Sequence, residues 1–495
     1  MTTQSNTKTP VSLDSLPDEL LQPIFETLCP HCYATRDYQH QRAREDGLES
    51  LTLTSKRFRS IALPIMLHIP ENHMSNEGLH KLLDIDPSLG DYIREWELPD
   101  YENDQEILNP AIETTRKLLA TVGQDFDLQQ DEDRGLLSLG YSLIAELFMV
   151  RAPKIEKLTL ERFDYNGWPR VDLKYLARRL GKLGDGTGFE NVRNLSVSRP
   201  CRTTTSLTDE HIIALLNVMP KLEQLNLDSI LGFSECHYFD VNLVKPALRN
   251  LTTLRLQWCT FEGSALNSHF GVLCEMLRHS PSLKSFVFWA SPSSGAPGFI
   301  EHDVSIKDFL LGLQPVAKHL KHLELDFSGT WCESEEVRAP MLADFTALES
   351  FHVSLEGICQ CDPRHGNVSA PTVSPCTADI IPPSVKHLSL ILQKNDITGC
   401  SRCIIGIGRK VVEGGLQNLE TVKIVYTGWR PRSVDEPYND MYDVAVENLQ
   451  EWHEAFVGGR VSLLFQSKIY DWMRYHKGDE LGWMEGKIQK DDYDW

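Results

Sequence analysis

Leu222-Glu223-Gln224-Leu225-Asn226-Leu227 and Leu251-Thr252-Thr253-Leu254-Arg255-Leu256 decide how this chain is read. Both carry one phrase: apolar, two variable residues, apolar, one variable residue, apolar. The last two apolar positions differ by two, so they share one face of an extended strand. The phrase recurs outward in both directions. Upstream stand Ile93-Trp96-Leu98, Ile155-Leu158-Leu160 and Val192-Leu195-Val197. Downstream stand Leu283-Phe286-Phe288, Leu320-Leu323-Leu325, Leu348-Phe351-Val353, Val385-Leu388-Leu390 and Leu419-Val422-Ile424. After the first interval the starts lie 28 to 37 residues apart. One instance arises easily by chance; ten in order at similar spacing mark an internal repeat.

Between the phrases the pattern turns helical, as over Thr208 to Val218 and Gly271 to His279. Pro153, Pro220, Pro281 and Pro383 stand just ahead of phrases, where a proline ends a helix and releases the chain into a strand. A single strand–loop–helix unit cannot cover its own apolar face, so the units must stack. The expected fold class is α/β: an irregular solenoid over 71–465, with parallel strands inside and helices outside. The step from 93 to 155 is too long for one unit, and Leu136 to Val150 reads as an extra helix. The phrase resembles the leucine-rich repeat, though the spacing is irregular and the asparagine usual after the strand is missing. That resemblance implies a concave strand face used for binding.

Strand alternation says which side chains line that face: those flanking the last two apolar positions. They include Gln224, Asn226 and Asp228; Thr253, Arg255 and Gln257; Ser285 and Trp289; His322, Glu324 and Asp326; Ser350, His352 and Ser354. Gln224, Asn226, Asp228, Arg255, Gln257, Trp289, His322, Glu324, Asp326 and His352 are the candidate contacts for a substrate protein. The surface is varied and polar, which suits a protein or peptide ligand, and an aromatic with an arginine can anchor one. Nothing in it names the ligand.

The amino-terminal part has a different grammar. Residues 1–11 are mostly polar and expected to be a disordered N-terminus, and 12–70 form a separate helical module. Ser15 followed by Asp18 resembles a helix start, and Pro17 suits a first turn because its missing N–H has no partner there. Leu20, Leu21, Ile24, Phe25 and Leu28 then fall along one helix face. Thr54 or Ser55 caps a second helix carrying Phe58, Ile61 and Ala62, which Pro64 ends. Ile65-Met66-Leu67 closes the module before Pro70. Lys56, Arg57 and Arg59 read as the solvated side of that helix.

The run LPDELLQPIFETL followed by LESLTLTSKRFRSIALPIMLH resembles the F-box, over about 13–70, in its fungal form. The family folds as a small three-helix module and docks on an SKP-type adaptor, which tethers it to a cullin–RING ubiquitin ligase. By position, the resemblance makes Leu16, Pro17, Leu20, Ile24, Phe25 and Leu28 adaptor-facing, with Leu53, Phe58 and Ile61 shared between core and interface. Two features depart from the pattern. Pro23 lies inside the first helix, and a polar insertion over 30–47 is expected to be a long loop. The implied function is the substrate-recognition subunit of an SCF-type ligase; the alternative is an F-box interaction scaffold outside a ligase.

Charge and composition narrow the rest. The chain carries 49 Lys and Arg against 70 Asp and Glu, a formal charge of −21 that repels phosphate backbones, so no nucleic-acid partner is expected. No run is long enough to cross a bilayer, and Met1 to Pro10 lack the apolar core of a signal peptide, so no membrane partner is expected. The expected location is intracellular, cytoplasmic or nuclear, with the 12 cysteines as reduced thiols. Cys29-Pro30-His31-Cys32 has metal-ligand spacing, but only one cysteine pair is present and the set is incomplete without His31 or His40. Cys29 and Cys32 are thus weak metal candidates, and no cofactor is expected. A second group, Cys359, Cys361, His365, Cys376, Cys400 and Cys403, matches no ligand spacing. G-x-S-x-G, a P-loop and H-E-x-x-H are all missing, so the chain is not expected to be an enzyme. The 466–495 end, with Trp472, Met473, Trp483 and Met484, reads as an acidic aromatic cap or tail.

Overall fold

The computed structural model describes residues 12–33, 38–70, 73–74, 76–98, 152–160, 188–197, 216–228, 241–259, 269–290, 306–327, 342–355, 358, 377–393, 397–429, 439–470 and 484–486. The helix expected over Leu136–Val150, and most of the one over Thr208–Val218, lie outside these residues. The chain is α/β and divides into two compact units: Met1–Leu160 with Pro169–Arg193, and Glu161–Trp168 with Asn194–Trp495.

The first unit opens with α1 (Asp18–Glu26), α2 (Tyr38–Thr54), α3 (Lys56–Met66) and α4 (Asn76–Ile85). Leu21 and Phe25, one turn apart on α1, and Cys29 just beyond it are buried against Leu48 of α2 and Phe58, Ala62, Ile65 and Met66 of α3. The Phe25 and Phe58 rings meet edge to face with centroids 5.5 Å apart. Ser55 caps α3, its Oγ accepting from the Phe58 N–H at 3.1 Å.

Four local expectations are corrected. Ser15 does not cap α1; it ends a short 3-10 turn, Leu13–Ser15, and Pro17 takes the cap position with no side-chain hydrogen bond. The 30–47 insertion is not a long loop, because α2 begins at Tyr38; its Gln, Arg and Glu residues are good helix formers although they draw no apolar stripe. Pro64 does not end α3, which runs through it to Met66. Pro23 and Pro246 likewise lie inside helices. For Pro23 and Pro64 the carbonyl that loses its helical N–H belongs to an exposed residue, Glu19 or Ser60, where water can take the bond. Arg57, finally, is no solvated ornament. Its Nε donates to Asp18 Oδ1 at 2.8 Å and its Nη1 to the Asp14 carbonyl at 2.7 Å, while Nη2 reaches the Leu16 carbonyl. One guanidinium thus ties α3 to the segment that leads into α1.

The same unit holds β1 (Glu95–Leu98) and β2 (Lys157–Leu160), paired in parallel with Trp96 opposite Leu158 and Leu98 opposite Leu160. These are the first two phrases.

The second unit holds β3 (Asn194–Val197), β4 (Gln224–Asp228), β5 (Thr253–Cys259), β6 (Ser285–Ala290), β7 (His322–Asp326), β8 (Ser350–Ser354), β9 (His387–Gln393), β10 (Thr421–Trp429) and β11 (Ser462–Tyr470). Each pairs in parallel with the next in chain order. β12 (Met484–Gly486) then adds antiparallel to β11. Between strands run α5 (Val241–Asn250), α6 (His269–Arg278), α7 (Ile306–Gly312), α8 (Thr377–Ile380), α9 (Ile397–Val412) and α10 (Asn439–Phe456). The phrase residues fall into rows: Leu225, Leu254, Phe286, Leu323, Phe351, Leu388 and Val422 are register partners down the sheet, and all are buried.

A finer ladder runs beside the sheet. The residue just ahead of several phrases donates its side chain to a carbonyl of the preceding repeat. Asn250 Nδ2 reaches the Pro220 carbonyl at 2.8 Å, Asn418 Nδ2 the Pro383 carbonyl at 2.8 Å, and Ser282 Oγ the Arg249 carbonyl at 3.0 Å. In the first unit Asn191 Nδ2 does the same to Pro153 at 2.9 Å. Each rung satisfies a turn carbonyl that the sheet leaves free. Toward the end of the chain, α9 and α10 pack so closely that a Cβ on Gly408 would lie 2.7 Å from the Ala455 carbonyl oxygen. Gly414, at a φ of 80°, closes α9 with the Gly415 N–H bonded back to the Lys410 carbonyl.

Candidate functional site

In the first unit the adaptor-facing candidates separate into two sets. Phe25 and Phe58 are buried in the helical core, so a partner cannot touch them without opening it. Leu16, Leu28 and Ile61 are half-buried at the edge of that core. Pro17 is exposed, and Leu20, Ile24 and Leu53 stand 53%, 41% and 81% exposed. Leu20 and Ile24 are one turn apart, so α1 buries one face through Leu21 and Phe25 and offers an aliphatic stripe on another.

The structure also completes a set that the spacing left open. Cys29 and Cys32 lie beyond the end of α1, with His31 between them. His68 lies two residues past α3. Its Nδ1 is 3.5 Å from Cys29 Sγ and 3.3 Å from Cys32 Sγ, and His31 Nδ1 is 3.7 Å from Cys32 Sγ. All four ligand atoms lie within 4.8 Å of one another. The set that spacing left incomplete gains its fourth group from just past the end of α3, 36 residues beyond Cys32. His40 has no described side chain. Burial and the neighbouring Cys29 push the Cys32 thiol up to about 12, and burial likewise raises Cys29. Burial, with His31 and Arg94, lowers His68 to about 4, which keeps its imidazole neutral and its lone pair available. Of the second cysteine group, Cys403 is buried in α9; the side chains of Cys359, Cys361, His365, Cys376 and Cys400 lie outside the described residues.

In the second unit the strand face presents in-register rows. One runs Asn226, Arg255, Val287, Glu324, His352, Ser389 and Lys423. Gln224 and Arg255 are exposed, and Asn226, Asp228, Gln257, Trp289, His322, Glu324 and His352 are half-buried. Asp326 is the exception. It is only 8% exposed and accepts from Ser354 Oγ at 3.1 Å, while that hydroxyl accepts from the Phe327 N–H at 2.7 Å. Its carboxylate anchors the end of β7 to β8 and is largely withdrawn from solvent.

Glu324 is the hub of that face. Trp289 Nε1 donates to Glu324 Oε1 at 2.9 Å, and Oε2 lies 3.6 Å from His322 Nε2 and 3.9 Å from His352 Nδ1. The two imidazoles meet edge to face at 5.0 Å, and Ser350 Oγ lies 3.1 Å from His352 Nε2. Burial alone would raise the Glu324 carboxyl, but the adjoining His322, the charge of His352 and the Trp289 indole prevail and hold it at about 2. Strand pairing creates the cluster: β6, β7 and β8 bring together residues 28 to 35 positions apart. Sequence reading named Trp289, His322, Glu324 and His352 one by one; their convergence required the register.

Ser350, His352 and Glu324 have the residue types of a hydrolytic triad but not its geometry. The 3.9 Å separation of Nδ1 from the carboxylate is beyond a hydrogen bond, and that carboxylate already accepts from Trp289.

Comparison of the sequence with protein-family models and with curated proteins finds no match to either. None of the described helices is long and apolar enough to cross a membrane.

Proposed function

We propose that this chain is the substrate-recognition subunit of an SCF-type ubiquitin ligase. Its helical module would be an F-box that docks an SKP-type adaptor and, through it, a cullin–RING ligase. Its strand array would be a run of leucine-rich repeats that holds a protein substrate. The observation that carries this reading is the exposed Leu20–Ile24 stripe on α1 of a small helical core, in a chain that continues into a parallel strand array. Aliphatic side chains in water at adjacent turns have a reason to stay there if a partner covers them. The reading is non-catalytic: the Glu324 cluster serves as a polar anchor, with Trp289, His322 and His352 fixed by one carboxylate and presented to a ligand.

Co-expression with an SKP-type adaptor tests it. The wild-type chain should co-purify with the adaptor, and Leu20→Asp with Ile24→Asp should weaken binding by about 100-fold or more. Both positions are exposed, so far-ultraviolet circular dichroism should not change. A wild-type chain that fails to bind overturns the reading. Adaptor binding without cullin recruitment would favour the scaffold alternative instead.

A further inference from the structure

The four-group cluster of the first unit has no part in that function. We propose that Cys29, His31, Cys32 and His68 form a structural zinc site that clips the end of α1 to the end of α3.

Geometry is the first argument. A tetrahedral zinc with Zn–S near ~2.3 Å and Zn–N near ~2.05 Å sets its ligand atoms apart by about 3.5 Å for S–N and about 3.4 Å for N–N. Three of the four S–N separations here are 3.3, 3.5 and 3.7 Å. All four ligand atoms lie within 4.8 Å of one another, so small side-chain adjustments would close them on one ion.

The donor set is the second. Two thiolates and two neutral imidazoles around a dication sum to zero charge, which suits a site whose Cys29 lies in the helical core. The backbone N–H groups of His31 and Cys32 already point at Cys29 Sγ. All four positions are protein ligands, so no position stays open for water or substrate. Such a closed site is structural, not catalytic. The proton balance is simple: zinc enters as the hydrated dication, two thiol protons leave to solvent, and no electron moves.

The alternative chemistry for Cys-x-x-Cys is a redox disulfide. Two histidines converging on the same pair argue against it, because a disulfide has no use for their lone pairs. The proposal stands whether or not the adaptor reading holds.

The test is metal analysis of the full chain, purified without immobilised-metal resin. The expected result is about one zinc per chain, with an X-ray absorption first shell of about two sulfur and two nitrogen scatterers. Cys32→Ser and His68→Ala should each drop the zinc content at least several-fold, Cys274→Ser should leave it unchanged, and His68→Cys should restore it. Zinc well below one per chain, an oxygen-rich first shell, or an intact mass short of two hydrogens through a Cys29–Cys32 disulfide overturns the proposal. The absorption measurement uses the wild-type chain, so it decides even if a variant misfolds.

Discussion

The helical unit concentrates its cohesion; the strand array spreads it. In the first, α1, α2 and α3 share one small core, one edge-to-face ring pair and one guanidinium clamp, so most of what holds them passes through a few side chains. In the second, β4 to β10 repeat the same buried row and the same turn bonds, and each repeat touches mainly its neighbours. The first arrangement should fail as a whole, the second one step at a time.

Phe58→Ala probes that difference most strongly. It should cost about 3–5 kcal/mol, against about 2–5 kcal/mol for Leu323→Ala in β7. The extents should differ more than the costs. In hydrogen exchange, Phe58→Ala should remove protection from α1, α2 and α3 together, whereas Leu323→Ala should loosen β6, β7 and β8 and leave β4 and β10 protected. Loss confined to α3 in the first variant, or spread over the whole array in the second, breaks the comparison.

Acid should act on the array at a defined place. The folded-state pKa of Glu324 lies below its ordinary value of 4.5, at about 2. Its contribution is therefore full above the unfolded pKa and disappears as pH falls from about 4.5 towards 2, a difference on the order of 3 kcal/mol. Glu324→Gln should thus be less stable than wild type in urea at pH 6, and the gap should shrink to about 1 kcal/mol or less by pH 2.5. A gap that stays constant over that range would show that the carboxylate's charge is not what the Trp289, His322 and His352 side chains hold.

The same contrast governs how much could be read from the chain. The strand array was nearly transparent, because a phrase with three fixed apolar positions states which residues pair and which face they bury. All ten phrases lie at strands β1 to β10. The eleventh escaped because Arg460 stands where the phrase asks for an apolar residue, although Leu463 and Phe465 align with Val422 and Ile424. The helical unit was less legible. The start of α2 has no apolar stripe, only residues that favour helix, and prolines at solvent-facing positions stopped nothing. The Glu324 cluster and the Cys29–His68 pairing are tertiary: each joins residues that share no local pattern, and only the packed structure brings their polar atoms within reach.

The smallest expected effect is the sharpest test of repetition. Asn250 and Asn418 each make one side-chain bond to the preceding repeat, at 2.8 Å in both cases, and both residues are exposed. Replacing either by Ala should cost about 0.5–1 kcal/mol, the net worth of an exposed hydrogen bond. If the repeats are equivalent and coupled only to their neighbours, the two losses should be equal, and the double variant should show their sum within about 0.5 kcal/mol. Chemical denaturation of the three variants measures this directly. A double variant markedly worse than the sum would mean that strain at one rung reaches the other through the intervening strands. The array would then behave like the helical unit, as a single cooperative body instead of a chain of local contacts.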